Sequence, residues 1–232
     1  MASLVKNNSN LVEGKNVLLS EEITIFLFDC SGSMQDSISD DGTFVVNPYR
    51  RSKFYAMKEA ALKFVEQRMT AIRNGASDYV GIITFGDSVK LMHDPSSRNF
   101  ESLMQRLDKM RSGGCTPMAQ AVDLAIQTAE RFSSGMIRIV ICSDGQPDYK
   151  DAVIQNVIRG FEDYGIIFDT IGIGNPNERW GLDEEFLKQV AQLGGGEYTR
   201  IESYQEFTRK LLNIESERQL LLGNGILMLP EK

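Results

Sequence analysis

The stretch "FLFDCSGSM" (residues 26–34) is an apolar run that ends abruptly in an acid, two serines and a glycine. A strand this apolar has no solvent-facing side, so it belongs inside a sheet covered on both faces. Asp29, Ser31 and Ser33 then stand at alternate positions just past its end. Three oxygen-bearing side chains delivered to one spot point to a site for a hard cation.

Working outward, "ITIFLF" from 23, "YVGIITF" from 79, "IRIVIC" from 137 and "IIFDTIGI" from 166 read as central strands. Segments of helical periodicity alternate with them. In "SKFYAMKEAALKFVEQRMTAI", Phe54, Met57, Ala61, Phe64, Val65 and Ile72 recur at three- and four-residue steps, which marks an amphipathic helix. Further helices are expected in "NFESLMQRLDKM", "PMAQAVDLAIQTAERF", "KDAVIQNVIRGFEDY" and "DEEFLKQVAQLG", the last stopped by Gly194 to Gly196. "VKLMH" after a short turn reads as an antiparallel edge strand, "GEYTRI" as a last short strand, and a C-terminal helix is expected from about Ser203. Alternating strands and helices imply an α/β fold: a doubly wound, mostly parallel six-stranded sheet with one antiparallel edge strand and helices on both faces.

Composition excludes several functions. A net charge of −7 disfavours nucleic acid, whose phosphates need clustered Lys and Arg, and it disfavours a membrane surface for the same reason. No apolar stretch is long enough for a signal peptide or a membrane span, and 3 cysteines make a disulfide framework improbable. A cytoplasmic protein is the expectation.

Ligands of open parallel sheets bind beyond the C-terminal strand ends, so the polar residues at strand exits are the informative ones. The first strand exits into Asp29, Ser31 and Ser33; "IRIVICSDGQPD" exits into Ser143 and Asp144, with Gly145 allowing a sharp turn; "SGGCTPM" brings Thr116 to a helix start. Magnesium takes about six oxygens and is held by few carboxylates, the remainder being neutral oxygens or water. Two acids and three hydroxyls suit that demand. Each also has a plainer reading. Thr116-Pro117 is an ordinary helix start, Asp144-Gly145 an ordinary turn, and the serines could satisfy backbone groups in a loop. His93, the only histidine, is expected to have a surface or edge role.

The combination of "DCSGS", "GGCTP" and "CSDGQPD" on this alternation resembles the von Willebrand factor type A domain with its metal-ion-dependent adhesion site, over about residues 22–212. The resemblance implies a Rossmann-like sheet and assigns Asp29, Ser31, Ser33, Thr116 and Asp144 to the metal. It further implies that the hydroxyls bind magnesium directly, that the acids often act through water, and that a partner protein binds without catalysis by donating a Glu or Asp. Manganese is expected to substitute, since it accepts the same oxygen ligands. Intracellular members often work beside AAA+ ATPases or in multiprotein complexes.

One departure from the family pattern is the insert at 35–51, carrying Asp36, Asp40 and Asp41, then "FVV", then Arg50 and Arg51. It should overhang the metal face, so Asp36, Asp40 and Asp41, with Gln146 and Asp148, are candidate partner contacts. The domain is flanked by an N-terminal extension, 1–21, and an apolar C-terminal extension, 213–232. Two alternatives stand beside the adhesion reading. A magnesium-dependent phosphohydrolase would place an acid two residues after the nucleophile, where Ser31 stands. An adaptor would bind through "LLLGNGILMLP" with a merely structural metal. Cys30, Cys115 and Cys142 each lie within two residues of a proposed ligand and should gather at one end of the sheet, Cys30 and Cys142 as small core residues.

Overall fold

A computed structural model of the chain describes residues 22–36, 52–73, 79–133, 135–177, 181–201, 206 and 209. Residues 37–51 of the insert, with Asp40 and Asp41, both extensions, and nearly all of the segment expected as a C-terminal helix lie outside the described residues.

Six strands form one sheet: β1 (Glu22–Asp29), β2 (Tyr79–Phe85), β3 (Lys90–His93), β4 (Met136–Ser143), β5 (Ile167–Ile173) and β6 (Gly195–Ile201). Their order is β3-β2-β1-β4-β5-β6. Every pair is parallel except β2 with β3, so "VKLMH" supplies the antiparallel edge as the short turn before it indicates. The helices are α1 (Lys53–Arg73), α2 (Phe100–Asp108), α3 (Met118–Ala129), α4 (Lys150–Tyr164) and α5 (Glu184–Leu193).

The period of two along β1 divides its side chains between two cores. Phe26 and Phe28 pack with Phe54, Met57, Ala61 and Phe64 of α1 and Leu103 and Leu107 of α2. Ile23, Ile25 and Leu27 face the other way, onto α3, α4 and α5 through Met118, Val122, Val157, Leu187 and Val190. The sheet is therefore covered on both faces, which is why its central strands carry no polar face. Helix ends follow local chemistry. Asn99 accepts from Ser102 N–H at 3.2 Å and Asp183 from Phe186 N–H at 3.2 Å, capping α2 and α5.

Two expectations need correction. Gly194 does end α5, but Gly195 and Gly196 are the first residues of β6. A Cβ on Gly196 would lie 2.2 Å from the Phe168 carbonyl oxygen, so close strand approach explains that glycine better than helix termination. His93 lies on the edge strand as expected but is buried, 5% exposed. Its Nε2 is 2.9 Å from the Ser97 carbonyl and its ring packs 4.9 Å from that of Phe100. Burial is the main cause that lowers its pKa. Strand β2 separates its strand from β1, which carries the serine loop.

The topology sets the position of the site. From β1 the chain moves outward to β2 and β3, then crosses back to β4 on the other side. The switch point lies between β1 and β4, whose register ends with Phe28 beside Cys142, leaving Asp29 level with Ser143.

Candidate metal centre

Asp29 closes β1 with no solvent exposure. Both of its oxygens are engaged: Ser31 N–H donates to Oδ1 at 2.8 Å and the Ser143 hydroxyl to Oδ2 at 2.5 Å. Burial, then the charge of neighbouring Asp144, push its pKa up to about 7 against the opposing pull of the Ser143 and Ser31 hydrogen bonds. Its geometry makes it the organiser of the serine loop. That loop continues as a 3-10 turn over Gly32–Gln35, in which the Ser31 and Ser33 hydroxyls lie 3.1 Å apart.

Thr116 reaches the same end of the sheet through backbone stitching. Gly113 N–H donates to the Cys30 carbonyl at 2.7 Å, and Gly32 N–H to that of Gly114 at 3.2 Å. Gly114 has φ +81, and a Cβ there would meet the Asp87 side chain, so only glycine fits between the loops. Asp148 joins the third segment: its N–H donates to the Thr116 carbonyl at 3.2 Å, and its Oδ1 accepts from Thr116 N–H at 3.4 Å. The plainer reading of Thr116 as a helix cap does not hold. Pro117 occupies the cap position of α3, and the Thr116 hydroxyl makes no hydrogen bond among the described residues.

Asp144, just beyond β4, is also fully buried. Gly145 follows with φ +77, and its N–H donates to Ser143 Oγ at 2.9 Å, turning the chain sharply away. One oxygen of Asp144, Oδ2, lies 3.3 Å from the Lys53 ammonium, itself fully buried. The other, Oδ1, is buried without a hydrogen-bond partner among the described residues. A buried carboxylate oxygen left unpaired is costly unless something else coordinates it.

The donor set fits a hard dication. Among the described residues no three His, Cys, Asp or Glu side chains gather as a metal cluster. The strand exits instead offer two carboxylates and neutral hydroxyls, the composition magnesium favours over a carboxylate cage. Ser31, Ser33 and Thr116 would supply hydroxyl oxygens and Asp144 its orphaned oxygen, while Asp29 holds the loop from behind.

The other named candidates divide. Asp36 is exposed and its carbonyl accepts from Lys53 N–H at 2.9 Å, closing the base of the insert. Gln146 donates to the Gly181 carbonyl, and Asp148 is exposed while it holds Thr116. Two features escape sequence reasoning. Lys53 looks like one more charged residue at a helix start, and Tyr149, 75% exposed and next in the chain to Asp148, looks like an ordinary aromatic.

All three cysteines are free; Cys30 and Cys142 are buried and Cys115 is exposed. Burial pushes the Cys30 thiol up to about 12 and raises Cys142 further. Native protein treated with a thiol-reactive chromophore should therefore release about one rapid equivalent, lost in Cys115→Ser, because only an accessible thiolate reacts readily. Three rapid equivalents would contradict this burial.

No helix among the described residues is long and apolar enough to cross a membrane. Comparison with known proteins agrees with the architecture. A UPF0353 protein of Mycolicibacterium gilvum is 23% identical over 189 residues, covering 72% of this chain and 54% of its own length. This chain thus spans about half the length of that curated relative. Among solved structures, an aerotolerance-related membrane protein from Bacteroides fragilis superposes with TM-score 0.62 at 18% identity, covering 85% of this chain and 99% of its own. The SpRpn10 VWA domain does so with TM-score 0.63 at 17% identity, covering 84% and 95%. At such identities these structures speak for the fold alone. A family model described as von Willebrand factor type A domain matches residues 24–146, more than half of the sequence, and this chain accordingly belongs to the von Willebrand factor type A domain family.

Proposed function

We propose that this domain binds magnesium through Ser31, Ser33, Thr116 and Asp144, with Asp29 holding the serine loop, and uses it to capture a Glu or Asp of a partner protein without catalysis. The observation that carries this reading is the unpaired, fully buried Asp144 Oδ1 at the switch point where three hydroxyl-bearing segments are stitched together. A shell rich in neutral oxygens leaves a dication underneutralised. An incoming carboxylate gains a charge-assisted bond there that water does not match. Exposed Tyr149 and Asp148, and Asp36 at the base of the insert, would set specificity around that anchor. Asp40 and Asp41 belong to the same proposed surface, and a partner working with an AAA+ ATPase or a multiprotein complex is consistent with it. The three free cysteines favour a cytoplasmic setting for this activity.

Affinity capture from the native cell tests the reading. Partner retention should require magnesium, survive replacement by manganese, weaken with calcium and vanish in Thr116→Ala and Ser33→Ala. Equal retention in excess chelator and in both variants would rule out a metal bridge and favour the C-terminal extension as the docking element. The fold itself is expected to survive chelation. With magnesium between its dissociation constant and about tenfold above it, linkage adds only roughly 0.4 to 1.4 kcal/mol.

A further inference from the structure

Lys53 is the first residue of α1, yet its side chain is fully buried and ends at the equally buried Asp144. Three contacts fix it there. Its N–H donates to the Asp36 carbonyl at 2.9 Å, its ammonium lies 3.3 Å from Asp144 Oδ2, and its Cε runs past Gly174, where a Cβ would stand only 2.9 Å away. Gly174, at the exit of β5 with φ +126, leaves the corridor this chain occupies. Burying an ammonium is expensive in both desolvation and side-chain entropy, and a lysine so enclosed is held by a specific charge.

We propose that Lys53 is a built-in counter-cation of the metal centre, which holds one oxygen of Asp144 and keeps divalent-ion affinity low until a partner carboxylate arrives. The inference rests on the metal-binding reading given above and adds a specificity-determining residue to it. With both acids ionised, Asp29, Asp144 and Lys53 leave the site one net negative charge. Loaded with a dication it carries one net positive charge, and a partner carboxylate brings it to neutrality. Without the ammonium, the dication alone would neutralise the two carboxylates and the pull on a third would fall. Lys53 thus ties ion binding to carboxylate binding, and by linkage each tightens the other.

Manganese binding to the purified chain, followed by the paramagnetic resonance of the free ion, tests this. Lys53→Met should bind manganese about tenfold or more tighter than wild type, because a nearby positive charge has been removed from a poorly solvated site. Saturating acetate should tighten manganese binding by wild type and have little effect in Lys53→Met. A merely structural lysine would give no gain in affinity. Equal or weaker binding by folded Lys53→Met, with wild type binding and Thr116→Ala not, would overturn the role of Lys53 and leave the metal site standing. Failure of wild type and Lys53→Met alike to bind manganese would overturn both. If Lys53→Met does not fold, the wild-type lysine ammonium resonance decides: saturating magnesium should shift it, and an unmoved resonance would overturn the proposal.

Discussion

Asp144→Ala should destabilise the protein in chelator by about 3 kcal/mol, near the lower end of what breaking a buried ion pair costs. The Lys53 ammonium would be left fully buried and facing no carboxylate. Relief of Asp29, whose pKa the Asp144 charge helps to raise, offsets part of the loss and places the expectation at that lower end. For a domain of this size the melting temperature should fall by roughly 6–12 °C. Adding Lys53→Met to Asp144→Ala should recover most of the difference, because the pair is then removed together. Denaturant unfolding of the four proteins in chelator provides the comparison. If Asp144→Ala alone is as stable as wild type, the ion pair contributes nothing to the metal-free fold.

The second large effect is on pH dependence. The folded-state pKa of Asp29 is raised from 3.8 to about 7, chiefly by burial. The folded protein therefore holds this proton more tightly than the unfolded chain. Stability in chelator should be greatest on this account below pH 4 and decline as pH rises from about 4 to 7, by on the order of a few kcal/mol. Above about pH 7 both states have lost the proton and the penalty stays constant. Ordinary surface carboxylates drive the opposite slope, so the contribution of Asp29 is read by difference. Asp29→Asn should remove this component, since its amide does not titrate in the range. Magnesium should also reduce it in wild type by favouring the carboxylate, and its apparent affinity should fall below pH 7 as protons compete. Parallel stability–pH curves for wild type and Asp29→Asn in chelator would show that Asp29 ionises freely in the folded state.

Both effects depend on contacts between residues distant in the chain, and they separate what was legible in the sequence from what was not. The alternation of fully apolar runs with helical periodicity is a local property, since a strand buried on both faces and a helix buried on one impose different periods within a dozen residues. That pattern was sufficient for the two-faced sheet, the antiparallel edge at Lys90–His93 and the strand exits carrying Asp29, Ser31, Ser33 and Asp144. Glycine was less legible. Gly196 has no local signature distinguishing a helix stop from a close strand approach, and the Phe168 carbonyl that excludes a side chain there belongs to another strand.

The electrostatics of the candidate centre were decided by tertiary structure alone. Ser143 meets Asp29 across 114 residues of chain, and Lys53 meets Asp144 across 91. No spacing rule links such partners. His93 shows the same limit, because nothing adjacent to it announces the packing of Phe100 that buries its ring. Composition and period determine which segments become strands or helices and which faces are apolar, because those choices depend on how much apolar surface each segment must hide. Which charge lies beside which carboxylate depends on strand order and on the path of one side chain past Gly174, and only the assembled fold specifies these.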